Sequence, residues 1–199
     1  MSEGLWTVTI DRPDKANSLT GAMLEELADI ADRAGRDGAR ALILTGRGKV
    51  FSAGADLDEA RAGLATSPVW ERLSGAIAAL PCLTIAALNG TLAGGAFGMA
   101  LACDLRLAVP EAKFFYPVMK LGFLPQPSDP ARLMRLVGPA RAKMILMAGV
   151  RASAAEAMDW GLVDQVVAAD DLMATAQTLA SDARGATADH VAAIKAMLA

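Results

Sequence analysis

Two short stretches of small residues hold the groups best suited to chemistry. Asn89-Gly90-Thr91-Leu92-Ala93-Gly94-Gly95-Ala96-Phe97-Gly98 lies between an apolar run and a helical pattern. Glycines there permit a sharp turn and leave the first N–H groups of the helix open to an anion. A dinucleotide fingerprint is excluded because the G-x-G-x-x-G spacing and its later acidic residue fail. A Walker A loop is excluded too, since Ala96 follows Gly95 and Val50 follows Gly48-Lys49. An oxyanion hole remains, made of one helix-start N–H and a second from another loop. Phe51-Ser52-Ala53-Gly54-Ala55-Asp56-Leu57 would supply that second donor. Taken singly, each stretch reads equally well as tight packing.

The carboxylates divide by context. Asp129 precedes Pro130 and a helical pattern, which reads as an N-cap with proline at the first helical position. Glu71, in Val69-Trp70-Glu71-Arg72-Leu73, reads as a solvated surface group. Tyr116 before Pro117 is either pocket wall or a hydrogen-bond donor into the pocket. The one histidine, His190, lies far from every motif, and neither a Ser-His-Asp arrangement nor a metal-ligand cluster can be assembled.

The elements that position these groups alternate. Trp6–Ile10 reads as a strand, followed by a helix capped at Ser18 or Thr20 and ended by Gly35 and Gly38. Ala41–Thr45 is continuously apolar, as in a strand covered on both faces. Residues 46–67 read as a loop with helical character around 58–62, before a helix over Val69–Leu80. A strand over Thr84–Leu88, a helix start over Gly94–Ala102, a strand over Leu105–Val109 and a short one around Phe114-Phe115 follow. Helices are then predicted over 129–137, 139–148, 153–160, 170–184 and 187–198, with 163–167 extended. This order predicts an α/β fold.

The 199 residues, 54% hydrophobic and 21% charged, suit one domain with a substantial core. A net charge of −3 without a long Lys/Arg run argues against nucleic-acid binding. The apolar stretch 83–109 is broken by Asn89-Gly90, Gly94-Gly95, Asp104 and Arg106, which argues for a buried core rather than a membrane span. With no signal-peptide pattern, and with Cys82 and Cys103 in apolar surroundings as free thiols, a cytoplasmic protein is expected.

Both small-residue stretches, together with Asp11-Arg12-Pro13-Asp14-Lys15-Ala16-Asn17-Ser18-Leu19, Ala86-Ala87-Leu88-Asn89-Gly90, Cys103-Asp104 and Trp160-Gly161-Leu162-Val163, occur in the order seen in one family. The chain resembles the crotonase family, the enoyl-CoA hydratase/isomerase superfamily, over nearly its whole length. The resemblance implies an α/β spiral of ββα units over residues 1–165, with a shortened C-terminal helical segment over 166–199. It implies an acyl-CoA thioester ligand, with coenzyme A as part of the substrate and no tightly bound cofactor or metal, and a homotrimer or dimer of trimers in fatty-acid metabolism. The oxyanion donors would be the N–H groups of Ala55 and Gly95. Lys15, Ala16, Ala53, Gly54, Asp56, Leu57, Gly94 and Val118 would line the thioester and coenzyme A. Asp56 and Asp104 would act as structural hydrogen-bonding partners.

The sequence departs from the pattern at the acid–base positions. Gly98 and Val118 stand where the hydratases carry glutamates, and Gln126 stands where related isomerases carry a carboxylate. Glu71 falls near the place of a histidine base in the dehalogenase branch. Gln126, Glu71 and Asp129 are therefore the candidate polar groups beside the hole. Hydration, isomerisation and decarboxylation all pass through a thioester enolate, and decarboxylation needs no base to form it. The alternative is an acyl-CoA binding protein that has lost the acid–base pair.

Overall fold

The computed structural model describes residues 4–198. Nine strands and ten α-helices alternate through these residues: β1 (Leu5–Ile10), α1 (Gly21–Arg36), β2 (Ala41–Gly46), β3 (Val50–Ser52), α2 (Leu57–Arg61), α3 (Val69–Ala78), β4 (Leu83–Leu88), β5 (Thr91–Ala93), α4 (Phe97–Leu101), β6 (Leu105–Ala108), β7 (Lys113–Phe115), α5 (Val118–Leu121), α6 (Asp129–Leu146), β8 (Ala152–Ser153), α7 (Ala154–Asp159), β9 (Gln165–Val166), α8 (Leu172–Leu179), α9 (Ser181–Gly185) and α10 (Ala188–Met197).

The strands form two sheets, ordered β1-β2-β4-β6-β9 and β3-β5-β7-β8. Three successive turns, β2-β3, β4-β5 and β6-β7, each give one strand to the larger sheet and the next to the smaller, then cross back through helices. That is the expected ββα spiral. All pairings in the larger sheet are parallel, as are β3–β5 and β5–β7. Parallel strands covered on both faces need unbroken apolar runs, and β2 is buried at all six positions.

Local chemistry sets the boundaries. Thr20 caps α1 by accepting from Met23 N–H, and Ser153 forms a capping box with Glu156 at the start of α7. Gly138, at φ +74° and ψ 168°, is non-helical and breaks α6 just before Pro139, so the segment consists of the two helices predicted on either side of it. Two strands within predicted turns, β3 and β5, escaped the sequence reading. Each is three residues long and takes its regularity from the neighbouring turn of the spiral.

Buried polar clamps tie the turns together. Asn17 is fully buried at φ +52°. Its side chain accepts from Arg12 N–H at 2.9 Å and donates to the carbonyls of Arg47 and Val50 at 2.9 and 2.6 Å. Asp104 accepts from the Thr84 N–H and hydroxyl and pairs with Lys195 of α10, so its structural reading holds. Arg106, 4% exposed, donates to the carbonyls of Cys103, Asp104 and Leu162. Cys82 and Cys103 are buried free thiols, and burial pushes them up to about 11 and about 12.

Replacing Asn17 by alanine removes three hydrogen bonds and leaves a β-carbon in left-handed backbone. Asn17→Ala is expected to lower the unfolding free energy by about 2–4 kcal/mol, read as a lower urea midpoint at unchanged slope.

Candidate functional site

The two small-residue stretches meet. Gly54 has φ +92°, and a β-carbon there would stand 2.9 Å from the Ala93 carbonyl, 3.3 Å from Gly94 Cα and 3.4 Å from Gly95 N. A short parallel bridge fixes how Ala55 faces. Leu19 N–H donates to the Gly54 carbonyl at 2.8 Å, and Asp56 N–H donates to the Leu19 carbonyl at 2.8 Å. In such a bridge the intervening residue directs its own N–H to the opposite side. Ala55 lines a cleft of about 120 Å³ together with Gly94 and Gly95. Ala55 and Gly95, from separate turns of the chain, thus border one cavity.

The rest of the wall is mainly apolar. Trp70 of α3, Tyr116, Val118 and Leu121 around α5, and Phe123 and Leu124 beyond it close one side. Trp70 is held by an indole N–H bond to the Leu64 carbonyl at 2.8 Å, and its ring lies against Gly95, where a β-carbon would stand 3.1 Å from it. Gln126 also borders the cleft. Its side-chain amide donates to the Ala65 carbonyl, and its backbone N–H donates to the Tyr116 hydroxyl.

A second cleft, of about 360 Å³, shares Ala53, Ala55 and Leu57 with the first. Lys15, Ser18, Asp56, Asp58 and Arg61 complete it. Asp56 caps α2 and binds Arg12 at 2.7 Å, and that hydrogen bond holds its carboxyl below the usual range. Its structural reading therefore stands. Ala16 does not border this cleft, and its carbonyl accepts from Ala53 N–H at 3.0 Å. Arg61, four residues beyond Leu57 on the exposed face of a one-turn helix, went unnoticed because nothing in its local sequence marks it. A larger groove, about 580 Å³, runs between β1 and α1 but touches neither small-residue stretch.

The carboxylates are where the structure corrects the sequence. Asp129 is not an N-cap. Ser128 takes that position, and its N–H and hydroxyl are bound by Glu71 of α3 at 3.0 and 2.6 Å. Glu71 is accordingly a helix tether rather than a free surface group, and it does not border the cleft. Asp129, the first residue of α6, turns inward and is 1% exposed. Its Oδ2 accepts from the Tyr116 hydroxyl at 3.0 Å, while Oδ1 is buried and unpartnered among the described residues. Gly98 makes the room: a β-carbon there would stand 3.0 Å from Oδ1. Burial pushes the Asp129 carboxyl up to about 7, helped by the nearby Glu71 and opposed by the Tyr116 hydrogen bond and Arg132. Burial likewise raises the Tyr116 phenol. The described residues include no cluster of metal-ligating side chains, and none of their helices is long and apolar enough to cross a membrane.

The family model for enoyl-CoA hydratase/isomerase matches residues 1–199. YngF of Bacillus subtilis is 40% identical over 188 residues, spanning 90% of this chain and 72% of its own. The 1,2-epoxyphenylacetyl-CoA isomerase of Escherichia coli is 35% identical over 190 residues, with the same two coverages. The crystal structure of an enoyl-CoA hydratase from Bacillus anthracis superposes with a TM-score of 0.91 at 34% identity, covering 98% of this chain and 78% of that one.

The fold raises the Asp129 carboxyl above its ordinary value of 3.8, so the native state holds the proton more tightly than the unfolded chain. The resulting stabilisation is complete below about pH 4 and is lost as the pH climbs through about 7. Asp129→Asn is expected to flatten that part of the stability–pH curve and to be more stable than the parent at pH 8, as measured by urea unfolding between pH 4 and 8. A variant with the parent's slope would assign the titration to another group.

Proposed function

Because the chain belongs to the enoyl-CoA hydratase/isomerase family, we propose that it binds an acyl-CoA thioester and turns it over through an enolate. The carbonyl oxygen lies between the N–H groups of Ala55 and Gly95. Deprotonation beside the carbonyl moves an electron pair onto that oxygen, and fixed donors already in place stabilise the charge without reorganising. The observation that carries this reading is that Ala55 and Gly95, from separate turns of the chain, line one mainly apolar cleft.

The cleft of Trp70, Val118, Leu121 and Phe123 takes the acyl chain. The adjoining cleft, with Lys15 and Arg61, takes the coenzyme A phosphates. Coenzyme A enters as part of the thioester. Proton movement between carbons, as in a double-bond isomerase, suits the site better than hydration. Hydration needs a base for water and an acid for carbon, whereas Tyr116 is the one titratable side chain among those bordering the acyl cleft. That scarcity of ionisable groups also favours the second reading, an acyl-CoA binding protein without turnover. The exposed Met119, Leu124, Met144 and Met147 support self-association into trimers or trimer pairs.

Incubation with butyryl-CoA and 3-hexenoyl-CoA in deuterated buffer, followed by mass spectrometry, tests the assignment. Deuterium at the α-carbon and migration of the double bond are the expected results. Gly54→Ala, which displaces the strand end before Gly95, is expected to slow exchange roughly 100- to 1,000-fold. Binding without exchange would establish the second reading, and absence of binding would overturn both.

A further inference from the structure

The Tyr116–Asp129 pair has features that a structural role leaves unexplained. A buried carboxyl with one oxygen unpartnered costs stability, and an apolar side chain would fill the same space without that cost. Here the surroundings are arranged to keep it. Gly98 leaves open the volume that Oδ1 occupies, and Glu71 tethers Ser128, the residue before Asp129, to α3. The hydroxyl it binds belongs to Tyr116, a residue of the cleft wall, and that hydroxyl also accepts the backbone N–H of Gln126 from the same wall. The carboxyl is thus connected to the cleft through one phenol held on two sides.

Resting on the thioester reading, we propose that Tyr116 is the catalytic residue that exchanges a proton with the substrate carbon, and that Asp129 is its positioning residue and proton store. On deprotonation the substrate C–H bond breaks and its proton bonds to the Tyr116 oxygen. The phenolic proton passes to Asp129 Oδ2, and the freed electron pair moves onto the thioester oxygen between Ala55 and Gly95. Reversal at the same or a conjugated carbon returns the proton. The carboxyl loses one negative charge as the enolate gains one, so no co-reactant is needed.

The charge state of Asp129 also sets the direction of the hydroxyl. Ionised, the carboxyl accepts the phenolic proton. Once protonated, it becomes a donor to the phenolic oxygen and frees the phenolic hydrogen to turn toward the cleft. The charged and titratable groups acting on Asp129 are Glu71 from α3, Tyr116 from the segment between β7 and α5, and Arg132 one turn along α6. Glu71 favours the protonated form and Arg132 the ionised one. Burial outweighs both and places the switch near neutral pH.

The test follows α-deuterium exchange into butyryl-CoA from pH 5 to 9 for the parent protein, Asp129→Asn and Tyr116→Phe, with thioester affinity measured separately. The parent rate is expected to rise through about pH 7 to a plateau. Both variants are expected to lose roughly 100- to 10,000-fold in kcat and to lose the pH limb while binding butyryl-CoA as the parent does. Asparagine retains an acceptor for the phenol, so Asp129→Asn keeps the local hydrogen bond, and Tyr116→Phe provides an independent check. Parental rates with the limb intact in either variant would overturn the relay and leave the enolate reading standing. A parent protein that binds the thioester without exchange would overturn both.

Discussion

Close stacking of successive chain turns, backbone against backbone, is the constraint on which this structure depends. Where β4 turns toward β5, a β-carbon on Gly90 would lie 2.0 Å from the Lys49 carbonyl. No side chain fits, and no rotamer change relieves such a contact. The same spacing at Gly54 presses the turn after β3 against the end of β5. This close approach brings Ala55 and Gly95, from separate turns, to the wall of one cavity. Stacking at this distance also strands polar groups in the interior, which is why Asn17, Asp104 and Arg106 each satisfy backbone groups from different turns.

Beside this backbone stacking stands the packing of α3, α4 and the start of α6. Glu71, Ser128, Asp129, Gly98 and Tyr116 form one connected arrangement in which each choice depends on another. The glutamate tethers Ser128, so the start of α6 is fixed against α3. The glycine is empty, so the aspartate has somewhere to go. The tyrosine supplies a donor, so half of the carboxyl is satisfied. Burial holds the carboxyl well above its ordinary value, up to about 7, and the remaining oxygen finds no partner among the described residues.

Much of the scaffold could be read in advance because its determinants are local. Continuous apolar runs marked β2 and β4, Thr20 and Ser153 marked helix starts, and Gly138-Pro139 marked the break in α6. The short strands β3 and β5 were missed because three residues show no period of their own; pairing with adjacent turns makes them strands. The Asp129 error has the same origin. Asp-Pro before a helical pattern is a sound capping signal when nothing else competes, but the competing carboxylate lies 57 positions from Ser128 in sequence. Gly98 was read as a lost side chain, whereas in three dimensions it is space given to another residue. A linear pattern can record that a group is absent from one position and cannot show that its charge arrives from a different helix.

The last helix has a consequence for how the chain comes together during synthesis. Most of the sheet pairings join strands one turn apart, so the N-terminal layers can assemble as they emerge, each templating the next. The contacts of the C-terminal segment are different in kind. Lys195 reaches back to Asp104 and to the Cys82 carbonyl, and Arg40 binds the Ala186 carbonyl just before α10. Every described residue of α10 is at least partly open to solvent, so polar contacts figure prominently in holding it to layers formed long before it. It therefore behaves as a polar clasp laid over the earlier layers, its Lys195 lying 113 positions in sequence from Cys82 and 91 from Asp104.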